Sequence, residues 1–331
     1  MRPVEGAHGM QIVEGYRDLD AGAKGAAAAI GNFDGVHLGH RVLIRDAALA
    51  SAKTGGPVGV ISFEPHPRRL FQPDAPPFRL TTRAAKARLL AEAGVDCLYN
   101  IAFDRALSAM SAEEFVEGVL HRGLGISHLV VGADFRFGKG RSGDATLLRA
   151  MGTELGFGVT VEKLVGDETG DYASTAIRVL VEQGLCVDAA RQLGRWHAVS
   201  GPVILGDQRG RDLGYPTANL AFDEQLIPRY GVYATWVDVL DGPHQGRYPG
   251  VASIGERPTF GVNAPNFEVH LFDFSGDLYG AEISVDLVHY LRGEVAYTGV
   301  QPLIDQMDKD SEQSRSILAS AQVPKLPMYS I

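Results

Sequence analysis

Apolar positions along the chain fall into two textures. Up to about residue 185, short aliphatic runs alternate with stretches of helical period. "AAAAIGNF" and "VGVISF" predict strands, and "HRVLIRDAALASAKTG" predicts the helix between them, with Gly55-Gly56 following its last turn. "TTRAAKARLLAEAG" then predicts a helix, "VDCLYNIAF" a strand, "SAEEFVEGVLHRGLG" a helix with a serine cap, and "SHLVVG" a strand. Such alternation builds an α/β domain, a parallel sheet covered on both faces, with ligands beyond the carboxyl ends of the strands. "GNFDGVHLGH", "FEPHP" and "GADFRFG" all fall at such ends. From about Trp196 the segments are short and rich in β-branched and aromatic residues: "AVSGPVIL", "GVYATWVDVL", "GVASIG", "FEVHLFDF" and "AEISVDLVHYL". Separated by Gly, Pro, Asp and Asn, they predict an antiparallel barrel or sandwich. "GVQPLIDQMDKDSEQSRSILA" predicts a helix packed outside it. No repeat is visible, and the linker near residues 184–195 is short and of helical character.

With 331 residues, 45% of them hydrophobic, the chain has enough apolar material for two cores. The net charge of −9 lies in no long block, which argues against a nucleic-acid or anionic-membrane surface. Cys97 and Cys186 sit in apolar surroundings, as reduced thiols of a cytoplasmic protein do. No apolar run reaches about 18 residues, and no signal peptide is expected. Oligomeric state, a homo-oligomer included, is left open.

His37 and His40 are three apart, so at a helix start they can share one face, while Gly39 leaves room for a ligand to approach the backbone. Free N–H groups and the positive end of the helix suit a phosphate there, and two imidazoles can stabilise charge building on a transferring phosphorus. The alternatives are a capping and a packing histidine, or a metal site that has no evident third ligand. "GKGRSG" at 138–143 satisfies G-x-G-x-x-G, with Glu162 at the distance of a ribose-binding acid. Five residues separate it from the preceding "LVVG", which disfavours a dinucleotide-binding dehydrogenase and leaves a glycine-rich lid as the better account. In "GYPTANL", Thr217 and Asn219 are two apart and face one side of an extended segment. Each offers a neutral oxygen to a hard cation such as magnesium, while Gly214 and Pro216 shape the turn that presents them. Singly, all these residues have plainer readings as turn formers, caps or solvated strand carboxylates.

"GNFDGVHLGH", "FEPHPRRLF", "VVGADFRFGKGRSGD" and "STAIR", in this order, resemble the HxGH nucleotidyltransferase half of the bacterial bifunctional riboflavin kinase/FMN adenylyltransferases. "GYPTANL", "GVYA", "IGERPTF" and "FEVHLFDFSGDLYG" are similar to the riboflavin kinase half. The resemblance implies a Rossmann-like domain with a parallel sheet over residues 1–185 and an antiparallel β-barrel kinase domain with a terminal helix over 186–331. It implies ATP bound by His37 and His40, with Ser174, Thr175 and Arg178 near the phosphates. Gly31, Asn32, Phe33, Asp34 and Gly39 would line the nucleotide and flavin pocket with His66, Asp134 and Phe135. In the second half Thr217 and Asn219 would hold magnesium, Gly214, Pro216 and Arg257 would contact substrate, and Glu268 would be the general base. The substrates and products are then riboflavin, FMN, FAD and ATP. Ala173 stands where many relatives carry a further serine. Rival readings are a chain in which one half has become a binding module, and a flavin- or nucleotide-sensing regulator without turnover.

Overall fold

A computed structural model describes residues 4–5, 9–163, 165–167, 170–206, 214–256 and 265–323. In chain order the first part carries β1 (Val4–Glu5), β2 (Gln11–Glu14), β3 (Ala27–Ile30), α1 (Leu38–Thr54), β4 (Val58–Glu64), α2 (Pro67–Phe71), α3 (Arg83–Glu92) and β5 (Cys97–Ala102). There follow α4 (Arg105–Ala109), α5 (Ala112–Glu114), β6 (His128–Gly132), α6 (Ala145–Leu155), β7 (Gly158–Glu162) and a small hairpin of β8 (Gly166–Asp167) and β9 (Gly170–Asp171). The second part carries α7 (Ser174–Glu182), α8 (Cys186–Leu193), β10 (His197–Pro202), β11 (Ala218–Leu220), β12 (Gly231–Val239), β13 (Gly246–Glu256), β14 (Pro265–Leu271), β15 (Glu282–Arg292) and α9 (Val300–Leu318).

The predicted alternation does give a parallel sheet, in the order β1-β2-β5-β4-β3-β6-β7, with only the two-residue β1 antiparallel. β3 is buried at every position because helices cover both faces, and its alanines leave space that larger side chains fill. The outer strands β1, β2 and β7 are not visible in the hydrophobic pattern: β2 buries only Val13 fully and β7 buries nothing fully. Ser111 caps α5 in a reciprocal pair with Glu114, as its sequence suggests. The continuation, Phe115–Leu124, is a π-helix where a plain α-helix is expected. Gly123 in it lies against Tyr16, where a Cβ would come within 2.7 Å of the carbonyl oxygen.

The second sheet is antiparallel, in the order β10-β15-β12-β13-β14-β11. Its two edges meet where Ile204 N donates to Asn219 O at 2.9 Å, which closes the barrel. Phe267, Val269, Tyr233, Val237 and Ile283 fill the interior, while Trp236, Val288 and Phe272 on the outer wall take up Leu318 of α9. α9 is anchored by Arg292, whose guanidinium binds the buried Asp310 carboxylate through both Nε and Nη2.

The chain divides into two units: residues up to 75 with 83–172, and residues 76–82 with those from 173 onward. This edge lies ahead of the expected one at 185. Ile177 and Val181 of α7 are buried with Leu80, Ala189, Leu193 and Leu226, so α7 belongs to the core of the second unit. The linker near 184–195 is helical, as α8. No helix among the described residues is long and apolar enough to cross a membrane.

Candidate active sites

In the α/β unit, β3 ends at Gly31 and the chain passes through a tight turn before α1. Phe33, Gly35 and Val36 all take positive φ, of 51°, 83° and 40°. For a β-branched valine that is a strained backbone, the kind a surrounding structure must hold in place. Phe33, Asp34 and Val36 are buried in this turn, while Asn32 faces solvent and its carbonyl accepts from Ser62 Oγ at 3.3 Å. The turn delivers His37 to the N-cap of α1, where its Nδ1 accepts from His40 N at 3.4 Å. That bond leaves the His37 proton on Nε2.

The two imidazoles are stacked, with centroids 3.6 Å apart and planes 22° from parallel, and Phe33 leans on His40 at 4.8 Å. Burial, then the neighbouring His37, then the Lys86 charge hold the His40 imidazole well below the usual histidine range. Buried His40 Nδ1 has no hydrogen-bond partner among the described residues. Gly39 serves differently from the expected ligand approach. A Cβ there would lie 3.1 Å from His37 Cε1 and Nδ1 and 3.3 Å from Tyr172 O, so the space belongs to the folded-back His37 ring.

Around this turn stand the carboxyl ends of β4, β5 and β6. His66 caps α2, accepting from Arg68 N at 3.1 Å. Asp134 is exposed just after β6. Phe135 stacks on Phe137 at 5.6 Å, and a row of rings continues from Phe137 through Phe115, Phe63 and Phe103 to the exposed Phe71. The "GKGRSG" glycines form no open lid: Phe137 and Gly143 exchange backbone hydrogen bonds, and Lys139 N donates to Met110 O at 2.7 Å. A Cβ on Gly138 would fall 2.7 Å from the Ala112 backbone and one on Gly143 2.6 Å from the Phe137 ring, so these glycines serve close packing. Glu162 lies beside Asp46, and burial together with that carboxylate raises its pKa.

Ser174, Thr175 and Arg178 lie on α7, in the second unit. Arg178 Nε donates to Phe78 O at 2.8 Å, and its guanidinium covers the Phe78 ring. The N-cap of α7 is Ala173, which offers no side-chain acceptor.

In the barrel, β11 pairs with β14 so that Asn219 stands opposite Glu268. Alternation along β14 buries Phe267, Val269 and Leu271 and leaves Glu268 and His270 half-buried on the other face. Thr217 Oγ1 donates to Glu268 Oε2 at 3.5 Å and Asn266 Nδ2 to Glu268 Oε1 at 2.7 Å. Asn219 is buried, and a Cβ on Gly206 would come within 2.4 Å of its Nδ2, so glycine makes room for the carboxamide. Gly214 takes φ 82° in the turn ahead. His270 Nδ1 donates to the Pro216 carbonyl at 2.8 Å and so pins the segment that carries Thr217. Burial lowers the His270 pKa, partly opposed by that bond. Tyr215 packs against the His270 ring and donates its hydroxyl to Asp308 of α9. Arg257 lies outside the described residues. Arg292, Asp273 and Asp277 pair with Asp310, pair with Arg315 and cap Tyr279 N, respectively.

A family model for FAD synthetase matches residues 20–176, and one for riboflavin kinase matches residues 193–318. The chain is 40% identical over 307 residues to the bifunctional riboflavin kinase/FMN adenylyltransferase of Escherichia coli (strain K12), covering 92% of this chain and 97% of that protein. It belongs to this family. The enzyme of the same name from Pseudomonas fluorescens is 38% identical over 311 residues, covering 94% of this chain and 98% of its own. A crystal structure described as a macrolide-efflux protein from Streptococcus pneumoniae superposes with a TM-score of 0.81 at 30% identity, covering 92% of this chain and 98% of that one.

Two features near the histidine site escape the sequence reading. The phenylalanine row is spread over residues 63–137 and gathers only when the strands align. Lys86 is the other: it is buried on α3, with Nζ donating to Ser62 Oγ at 2.8 Å and to Glu64 Oε1 at 2.6 Å. Its signal was a lysine within the stripe of Ala85, Leu89 and Leu90, where the helix turns toward the sheet.

Proposed function

We propose that the barrel phosphorylates riboflavin to FMN and that the α/β unit joins FMN to an adenylyl group to give FAD, both at the expense of ATP. The convergence of Thr217, Asn219 and Glu268 across one register pair is the observation that carries this reading. A carboxylate beside two neutral oxygens, all on one barrel face, is what a hydroxyl-phosphorylating site requires.

In the kinase step the terminal ribityl hydroxyl attacks the γ-phosphorus of ATP. The new bond from oxygen to phosphorus forms as the bond to ADP breaks, and the hydroxyl proton passes to Glu268. Asn266 orients the carboxylate by holding Oε1, and Oε2, which accepts from Thr217 Oγ1 at rest, takes the proton. The hard oxygens of Thr217 and Asn219 fit magnesium, whose remaining ligands would be water and nucleotide phosphates. When bound, the ion neutralises charge on the phosphates. Gly214, Pro216 and Arg257 are assigned to substrate contact in this half.

In the adenylyl step a phosphate oxygen of FMN attacks the α-phosphorus of ATP, and pyrophosphate leaves in line. Catalysis is by positioning and charge stabilisation, with no covalent intermediate. A neutral His40 donates a hydrogen bond without surrendering its proton, and His37 offers Nε2–H at the start of α1. Gly31, Asn32, Phe33, Asp34, His66 and Asp134 are assigned to the nucleotide and flavin pocket. The ring row that includes Phe135 suits a planar flavin. Ser174, Thr175 and Arg178 are assigned to the phosphates. A cytoplasmic setting belongs to the same reading, supported by the two buried free thiols.

Chromatography of the products formed from riboflavin, ATP and magnesium tests this. FMN should rise first and FAD follow at its expense; riboflavin recovered unchanged would refute the kinase half, and FMN that never gives FAD would refute the other.

A further inference from the structure

The two reactions above leave Lys86 without a task. Only 4% of it is exposed, and lysine is almost never buried so far without a partner. Its ammonium donates to Ser62 and Glu64, at the carboxyl end of β4. The Ser62 hydroxyl that receives the ammonium donates in turn to the Asn32 carbonyl. A hydrogen-bonded line therefore runs from a buried charge to the backbone of the turn that delivers the histidine pair. The same charge acts on His40, together with burial and His37. Next to Ser62 in the parallel register stands Asn100, whose buried Oδ1 accepts no hydrogen bond among the described residues. The face that α3 covers is thus rich in acceptors. A buried ion pair adds little net stability over an apolar pair of the same volume, so stability alone is a poor account of this lysine.

We propose that Lys86 is a positioning residue for adenylyl transfer: clamped by Ser62 and Glu64, it fixes the Asn32 turn through Ser62 and sets a permanent positive charge behind the histidine pair. The proposal rests on the assignment of adenylyl transfer to the histidine site. A fixed charge in a site from which water is excluded stabilises developing negative charge without reorganisation, and a turn held in register keeps the imidazoles aligned.

The full-length chain is assayed for FAD formation from FMN and for FMN formation from riboflavin. Lys86→Met alone would strand the Glu64 carboxylate, so the decisive variant is Glu64→Gln with Lys86→Met, which removes both charges and keeps the volume. Its kcat for FAD formation should fall about 100-fold while KM for ATP and FMN moves less than about threefold. Riboflavin phosphorylation by the same chain should stay at its wild-type rate. Ser62→Ala, a single-atom deletion, should lose about tenfold in the same kcat. Wild-type kcat in the double variant, or a loss confined to KM, overturns the proposal. Should the double variant fail to fold, an unchanged kcat in Ser62→Ala overturns it equally. A wild-type chain that makes no FAD would strike the assignment of the activity instead, a result separate from any ratio between variants.

Discussion

In the α/β unit the histidine pair lies within ten consecutive residues, 31–40, arranged by a strained turn and a helix start. In the barrel, Thr217 and Glu268 are 51 residues apart in the chain and are arranged by strand register. The first site has its imidazoles stacked and its charge supplied from behind by a buried lysine. The second presents oxygen atoms on a half-buried face, with the carboxylate held by Asn266. Local geometry concentrates a site in a few residues and makes it sensitive to a single atom. Register spreads the task over a ladder, so that one substitution disables the chemistry without disturbing the frame.

The largest effect should separate the two reactions outright. Glu268→Ala is expected to slow FMN formation from riboflavin about 1000-fold while FAD formation from added FMN persists. Equal loss of both activities would contradict the division. His40→Ala or His37→Ala should do the reverse, lowering FAD formation about 100-fold with riboflavin phosphorylation intact. An unchanged adenylyl-transfer rate in both variants would remove the histidines from the mechanism.

Acidity should move the two units in opposite directions. Burial pushes the Asp286 carboxyl up to about 6 against the pull of Arg247. Between its ordinary value near 4 and that value the folded barrel holds the extra proton, so this group favours folding increasingly as pH falls from 7 toward 4. His40 has the contrary sign. Its pKa is lowered, so below about 6.5 the unfolded chain takes up a proton that the folded unit refuses, and stability declines. Both tryptophans, Trp196 and Trp236, lie in the barrel unit, so their fluorescence reports its unfolding alone. Asp286→Asn should stabilise the barrel at pH 8 by on the order of 2 kcal/mol, a gap that narrows below pH 6 and closes by about pH 4. A gap independent of pH would exclude Asp286 as its source. The smallest effect is steric: Gly39→Ala displaces the His37 ring and should cost FAD formation about tenfold, and full activity would show that the stack is dispensable.

How much of this was legible beforehand follows the same divide. His37, His40, Thr217 and Asn219 could be picked out because spacing along one helix start or one extended segment fixes which side chains share a face, whereas Glu268 came from the resemblance to the riboflavin kinase half. Thr217 meeting Glu268 needed the antiparallel register, which alternation supports but does not specify. Lys86 and the phenylalanine row were hidden because their partners belong to other strands and another helix. The edge at residue 172 was hidden too: α7 has the same amphipathic pattern whichever core receives it, and Leu80 and Leu226 decide the matter. The reason for Gly39 could not be read either, since only the folded-back imidazole reveals what a methyl group would strike.

The barrel is joined at Asn219 by a strand of three residues, bonded on one side to β14 and, among the described residues, on the other to Ile204. Backbone hoops of that kind loosen before the long ladders of β12, β13 and β15 do. Thr217 and Asn219, which we assign to the magnesium site, therefore stand beside and on the shortest described stave of the cask.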